Sequence, residues 1–255
     1  MKANAMPESP HAFPTGWYGK IPAAGDFVAR RIPPDFGEVW HDWLQSALEG
    51  SRQRLAGRWP SDFLSMPVWR FVFSPGLVTP SAWVGLMLPS VDAVGRHFPL
   101  AFACRLPATS LDLVATMRLA RPWFGELEEI GLSAIAQRAD FAAVDAAIAE
   151  RPFQGEWMRH ARGRAGTSLL RADRPCMVCV ELGPSPMADV TDAELRASAE
   201  RLPEPRGAWL AEPSDLFGRS LLLCGALPSA EQLCAMMDGR WLEHGWMRRD
   251  LRSSS

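Results

Sequence analysis

The segment from residue 83 to residue 100 constrains the fold more than any other part of the chain. It connects two uncharged apolar runs, 83–88 and 98–104, through Pro, Ser, Asp and Gly residues that are typical of turns. Asp92 and Arg96 lie within that turn. Because an unpaired charge beside buried strands is costly, we expect these two side chains to bond each other or the turn backbone. The alternative is that Asp92 is an active-site acid.

Composition and charge exclude several classes of protein. The chain has 255 residues, enough to bury a large core as one domain or two small ones. Its formal net charge of −2 gives no long-range attraction for nucleic acid or anionic lipid. Residues 71–91 form an uncharged run long enough to cross a bilayer, but Pro and Gly residues divide it into strand-length pieces. The 5 cysteines are odd in number and lie in apolar surroundings, which favours reduced thiols in a reducing compartment.

Tryptophan is the unusual residue of this composition. Eleven tryptophans accompany a single tyrosine, so either the core or an interface is rich in Trp. Trp40 and Trp43 fall on one apolar stripe of a helix that is predicted from Pro34 to Gly50, and we expect both in the core. Pro60 is predicted to break any continuation of that helix.

The order of the remaining elements predicts an α/β protein. Strands are predicted at residues 16–21, 67–73, 83–88, 98–104, 167–170, 176–182, 207–210 and 220–224. Further helices are predicted after Ser110, Pro122, Asp140, Thr191 and Ser229, four of which are candidate caps. Three successive strands without a helix between them favour antiparallel pairing, because short connections cannot join parallel strands.

The sequence has no local motif for catalysis or cofactor binding. Neither a phosphate-binding glycine loop nor a nucleophile-elbow serine occurs. Cys176 and Cys179 match C-x-x-C, but residues three apart on a strand point to opposite faces, so we expect core positions. The basic residues at 159–164 are typical of a solvated surface turn. We therefore expect no cofactor and no metal.

An enzyme built from this chain would depend on the polar residues of its two charged turns. The candidate residues are Lys20, Asp26, Asp92, Arg96 and His97. They form a plausible catalytic set only if the two turns meet in space, which the sequence does not determine.

One constellation of residues resembles a known family. Its members are Gly19, Lys20, Gly25, Asp26, Trp40, Trp43, Trp69, Pro89, Ser90, Asp92, Gly95, Arg96, Phe98 and Pro99. Together they resemble the TagF (ImpM) family of type VI secretion-associated proteins. The strong motifs cover residues 16 to about 106, and Trp209 with residues 225–228 is similar to a weaker C-terminal pattern. The resemblance attaches no catalytic role to these positions and leaves them as structural or partner-surface residues.

The resemblance implies a fold and a set of boundaries. It implies a sheet sandwiched between helices in three layers, in agreement with the mixed, largely antiparallel order predicted from the residues. We expect a flexible leader over residues 1–15, a single TagF-like α/β domain over 16–247 and a flexible tail over 248–255.

The resemblance also implies a function. It implies a cytoplasmic accessory protein of a Gram-negative bacterium, not an enzyme, that restrains assembly or activation of the type VI secretion system after translation. Such a protein would act by binding secretion components, with the forkhead-associated scaffold protein as one candidate and with no nucleic-acid or membrane partner. The alternatives are a hydrolase or phosphatase that uses the acidic turns around Asp26 and Asp92, and a structural subunit of the apparatus.

Overall fold

The structure, a computed structural model, describes residues 12–136, 138–154, 177–182, 205–215 and 217–250. The predicted strand at 167–170, the helix predicted after Thr191 and the basic residues at 159–164 lie outside these ranges, as does Cys176.

The described strands form one large sheet and one small one. They are β1 Ala12–Phe13, β2 Gly16–Gly19, β3 Val28–Arg30, β4 Trp69–Phe73, β5 Ala82–Leu88, β6 Leu100–Leu106, β7 Phe153–Gln154, β8 Met177–Glu181, β9 Gly207–Ala211, β10 Ser220–Cys224 and β11 Met247–Asp250. β1 pairs with β7, and the other nine are ordered β11-β8-β10-β9-β4-β5-β6-β2-β3. Within this order β11 and β8 are parallel and every other neighbouring pair is antiparallel. The predicted mixed, largely antiparallel sheet is confirmed.

Helices cover both faces of the large sheet. They are α1 Pro34–Leu55, α2 Trp59–Leu64, α3 Leu113–Leu119, α4 Arg121–Ala136, α5 Phe141–Ala149 and α6 Ala230–Asp238. Because side chains alternate along a strand, Val84 and Leu86 of β5 share a core with α3, α4 and α5, whereas Trp83 and Met87 share a core with α1, α2 and α6. The predicted three-layer α/β arrangement is therefore confirmed.

The first helix is longer than its sequence predicts. Gly50 lies inside α1, and a Cβ there would come within 2.5 Å of the Ala230 Cβ at the start of α6. The glycine thus permits close helix packing, and the prediction that it ends the helix is wrong. α1 ends at Leu55, before Pro60, and Trp59 and Pro60 begin a separate helix, α2, because proline is compatible with the first turn of a helix.

The helix caps at Asp140 and Ser229 agree with the sequence prediction, whereas the cap of α3 does not. Asp140 caps α5 and Ser229 forms a capping box with Gln232 at the start of α6, as predicted. Ser110 does not cap α3. Asp112 has the extended backbone that an N-cap requires, and its carboxylate accepts from the Ala115 N–H at 2.9 Å.

Short strands lie near both expected terminal boundaries. Ala12–Phe13 pairs with β7. Met247–Asp250 pairs with β8 at the end of the large sheet. Such pairing is possible for a polar segment, because backbone hydrogen bonds to an open strand edge do not require an apolar sequence. β3 was not predicted, because three residues are too few for a periodic pattern.

The tryptophans of the described residues build the core. Those that are buried are Trp17, Trp40, Trp59, Trp69, Trp83, Trp123, Trp209, Trp241 and Trp246. Trp40 stacks on Phe36 at 5.3 Å between ring centroids and is fully buried, as expected. Trp43 is only partly buried, and its Nε1 donates to the Pro228 carbonyl oxygen at 2.7 Å. The Trp-rich region is therefore the core beneath α1.

Gly85 provides a test of how closely this core is packed. A Cβ on Gly85 would collide with the Phe102 carbonyl oxygen and with the Phe71 ring, in the middle of the sheet. We expect Gly85→Ala to lower the free energy of unfolding by about 2 kcal/mol through overpacking, measured by urea denaturation. Gly125→Ala is the matched control, because nothing lies within 4 Å of its Cβ position in α4. The control is expected to gain about 0.5–1 kcal/mol. Equal stability of Gly85→Ala and wild type would contradict the packing.

Candidate functional site

Two turns meet where β2 and β5 end. Both strands run antiparallel to β6, which lies between them, so their C-terminal ends lie at the same edge of the sheet. We call residues 20–27 the first turn and residues 89–97 the second turn. The Ala93 N–H donates to the Ala24 carbonyl oxygen at 2.9 Å, and the Ser90 hydroxyl donates to the Lys20 carbonyl oxygen at 2.7 Å. The two turns are therefore joined by direct hydrogen bonds.

A buried carboxylate lies at the centre of this junction. The side chain of Asp92 is fully buried, and its Oδ2 accepts from Lys20 Nζ at 2.9 Å and from Arg96 Nε at 2.6 Å. Its Oδ1 accepts from the backbone N–H groups of Arg96 at 2.8 Å and Val94 at 3.1 Å. The expected contact of Asp92 with Arg96 is thus present. Lys20 is a second cationic partner that the sequence did not identify.

The Asp92 carboxylate is saturated by these donors. Burial by itself raises the pKa of Asp92, but the hydrogen bonds from the Arg96 backbone, Lys20, the Arg96 side chain and the Val94 backbone outweigh it and hold the pKa well below its usual range. A carboxylate offers about four acceptor positions, and four donors occupy them. Asp92 is therefore ionised at neutral pH and has no acceptor position left for a substrate proton.

Glycines at two positions allow the turns to close. Gly95 has a φ of 84°, and Gly19 has a φ of 137° where a Cβ would collide with the Pro99 carbonyl oxygen. Gly25 in the first turn does not have a positive φ. Its carbonyl oxygen accepts a hydrogen bond from Arg96 Nη2 at 2.5 Å. This bond from the second turn stabilises the conformation of the first turn.

An aromatic cluster adjoins the buried ion pair. The Phe27 ring lies 4.7 Å from Phe98 and 5.1 Å from His41, and Lys20 Nζ lies 4.9 Å from its centroid. The Tyr18 hydroxyl and His41 Nδ1 share a hydrogen bond of 2.7 Å. Phe27 is nevertheless 37% exposed. An exposed aromatic side chain is thus held on a rigid base.

Two residues of the candidate catalytic set do not join the Asp92 cluster. Asp26 is exposed, and its carboxylate accepts from the adjacent Phe27 N–H at 2.7 Å. His97 packs edge-on against Trp59 and Phe63, and burial lowers its pKa, with the nearby Arg52 charge contributing. The turns do meet, but these five polar groups do not converge on one point.

Several other residues of the predicted constellation are buried or half-buried and contribute to packing. Trp69 is buried and its Nε1 donates to the Met236 carbonyl oxygen at 3.1 Å, while Phe98 and Pro99 are buried beside the turns. Pro89 is half-buried at the end of β5. Within the described ranges no group of three metal-ligating side chains occurs, and no helix there has the length and apolarity needed to cross a membrane.

Sequence reasoning missed the contacts that join distant segments. Lys20 and Asp92 are 72 residues apart, and Tyr18 and His41 lie on different elements. The one available signal was the position of Lys20 directly after an apolar strand, where a charge needs a partner.

Comparison with known proteins identifies relatives. The TagF N-terminal domain family, described as type VI secretion system-associated, matches residues 16–150, which include both turns. The crystal structure of PA0076 from Pseudomonas aeruginosa PAO1 is similar with a TM-score of 0.70 and 30% sequence identity, over 89% of this chain and 94% of that chain. Among curated proteins, none matches the chain significantly.

The buried cluster predicts a pattern of mutational coupling. Asp92→Ala leaves the buried Lys20 ammonium without its partner and is expected to lower the free energy of unfolding by about 3 kcal/mol. Lys20→Met is expected to cost less, because Asp92 keeps its hydrogen bonds from Arg96 and from the Val94 backbone. The double variant is expected to lose less than the sum of the two, because no charge is then stranded. Urea denaturation of the four proteins measures this. Asp26→Ala, exposed in the same turn, is the control and is expected to change stability by less than about 0.5 kcal/mol. Additive losses would contradict the cluster.

The lowered pKa of Asp92 predicts an effect of pH. A carboxylate whose pKa is lower in the folded than in the unfolded chain stabilises the fold above its unfolded pKa of about 3.9 and loses that contribution as pH falls towards the folded value. The stability difference between wild type and Asp92→Asn is therefore expected to be constant from pH 7 to about pH 5 and to shrink below pH 4. Thermal melts across this range measure it, and a difference that grows on acidification would contradict the assignment.

Proposed function

The chain belongs to the TagF N-terminal domain family of type VI secretion system-associated proteins, and from this premise we propose that it restrains assembly or activation of the secretion apparatus after translation by binding one of its components. The forkhead-associated scaffold protein is one candidate partner. The observation that carries the proposal is the joined pair of turns. The buried Asp92 cluster fixes their relative arrangement, and with it the positions of the side chains that they expose. A surface that is preorganised before binding loses little conformational entropy when a partner binds, and this favours a partner-binding role.

The chemistry of the turns supports binding over catalysis. A general base needs a free acceptor position within reach of a substrate proton. Asp92 has four donors on its carboxylate, and His97 lies against aromatic rings. These contacts stabilise the turns and occupy the Asp92 carboxylate, which could otherwise act as a base.

The cysteines support a cytoplasmic location for this role. Cys104, Cys179, Cys224 and Cys234 are buried thiols and not disulfides. Reduced thiols are typical of proteins in a reducing compartment. A regulator of apparatus assembly would meet its partner there.

Deletion of the gene tests the proposed role. In a strain with an active type VI secretion system, loss of a restraining protein is expected to raise the amount of secreted protein in the culture supernatant. Re-expression of the chain is expected to return secretion to the original level, and overexpression to lower it further. Loss of secretion after deletion would contradict restraint and would indicate a structural subunit.

A further inference from the structure

The exposed surface beside the first turn combines an aromatic ring with carboxylates. Asp26, Phe27, Glu38 and Asp42 are all exposed, and we call these four residues the Phe27 patch. Glu38 and Asp42 lie one helical turn apart on α1, on the same face as His41. Because the His41 ring lies 5.1 Å from Phe27, that face of α1 borders the aromatic ring.

Asp42 lies near the aromatic cluster as well. Tyr18 belongs to the same aromatic cluster, with its ring 5.8 Å from Phe27. Burial raises the pKa of Tyr18, and the Asp42 carboxylate raises it further. Asp42 is therefore close enough to the cluster to act on it electrostatically.

The cations that neighbour the patch are engaged by groups other than its carboxylates. The Arg30 guanidinium lies 4.6 Å from the Phe141 ring of α5, and Arg31 pairs with Asp145 at 2.8 Å, both on the opposite helical layer. Lys20 lies 4.9 Å from the Phe27 ring centroid but pairs with the buried Asp92, as does Arg96. Among the described residues, none of the three carboxylates of the patch forms an ion pair, so the patch carries uncompensated negative charge.

We propose that the Phe27 patch is the docking surface for a basic segment of a partner protein, in which lysine or arginine residues flank an apolar side chain. This proposal rests on the proposed function, since it names the chemistry of the bound component. The carboxylates attract the cations, and the exposed part of the Phe27 ring offers an apolar contact. An acidic segment would be repelled by the same three carboxylates.

The base of the patch makes it suitable for such docking. Phe27 is held between Tyr18, His41 and Phe98, with centroid distances of 5.8, 5.1 and 4.7 Å. The hydrogen bond between Tyr18 and His41 joins β2 to α1 beneath the patch. The carboxylates on α1 and the ring on the first turn therefore keep one fixed relative position, which a bound segment can use without reordering the chain.

Complementation of the deletion strain tests the surface in the cell. The test variants are Asp42→Lys and Phe27→Ser, and the matched controls are Glu129→Lys and Leu132→Ser on the exposed face of α4 in the opposite layer. Thermal melts first establish that all four proteins fold. Where the wild-type chain restrains secretion, both controls are expected to restrain it equally, and the two patch variants are expected to lose most of the restraint. Full restraint by folded patch variants would overturn the proposed surface while leaving the proposed function intact.

A peptide assay tests the partner chemistry without reference to secretion. The probe is a fluorescent peptide of alternating lysine and leucine, with an alternating glutamate and leucine peptide for comparison. Fluorescence anisotropy is expected to show binding of the lysine peptide that weakens with salt, and a loss of affinity of about 100-fold in Asp42→Lys but not in Glu129→Lys. Absence of binding to wild type, or equal binding to wild type and Asp42→Lys, would overturn the proposal whatever the secretion assay shows.

Discussion

The buried carboxylate of Asp92 holds together the end of the sheet that carries the candidate site. Lys20 follows β2, Asp92 and Arg96 follow β5, and one carboxylate accepts hydrogen bonds from both segments. Removal of a charge from water is costly, so such a cluster is stable only when each partner is in place. The consequence is that the two turns have one relative arrangement, and the side chains they expose keep fixed positions.

The large sheet explains why the region outside the family match matters. Residues 16–150 match the TagF N-terminal domain family. Within that region β4 pairs with β5 on one edge, but its other edge pairs with β9, which lies beyond residue 150. β9 also contributes Trp209, whose ring lies 5.3 Å from Phe71 in the core beneath α1. The C-terminal strands therefore complete the sheet and the aromatic core on which the N-terminal region is built.

The same interactions that stabilise the turns limit what they can do chemically. Four hydrogen-bond donors occupy the acceptor positions of the Asp92 carboxylate, and His97 packs against the rings of Trp59 and Phe63. What stays accessible is a surface of mixed character, with an aromatic ring, carboxylates and the exposed Val94 side chain on fixed turns. Such a surface is suited to recognition of another protein, because the shape is set before the partner arrives.

The sequence by itself determined the features that depend on local spacing. Apolar runs located β4, β5 and β6, capping residues located α5 and α6, and the spacing of Asp92 and Arg96 indicated their contact. The tertiary structure alone decided which distant segments meet. Lys20 reaches Asp92, Gly50 accommodates α6, and the polar residues of β11 pair with β8. The physical reason is that periodicity reports which side of an element is buried, whereas strand order and helix crossing determine what it is buried against.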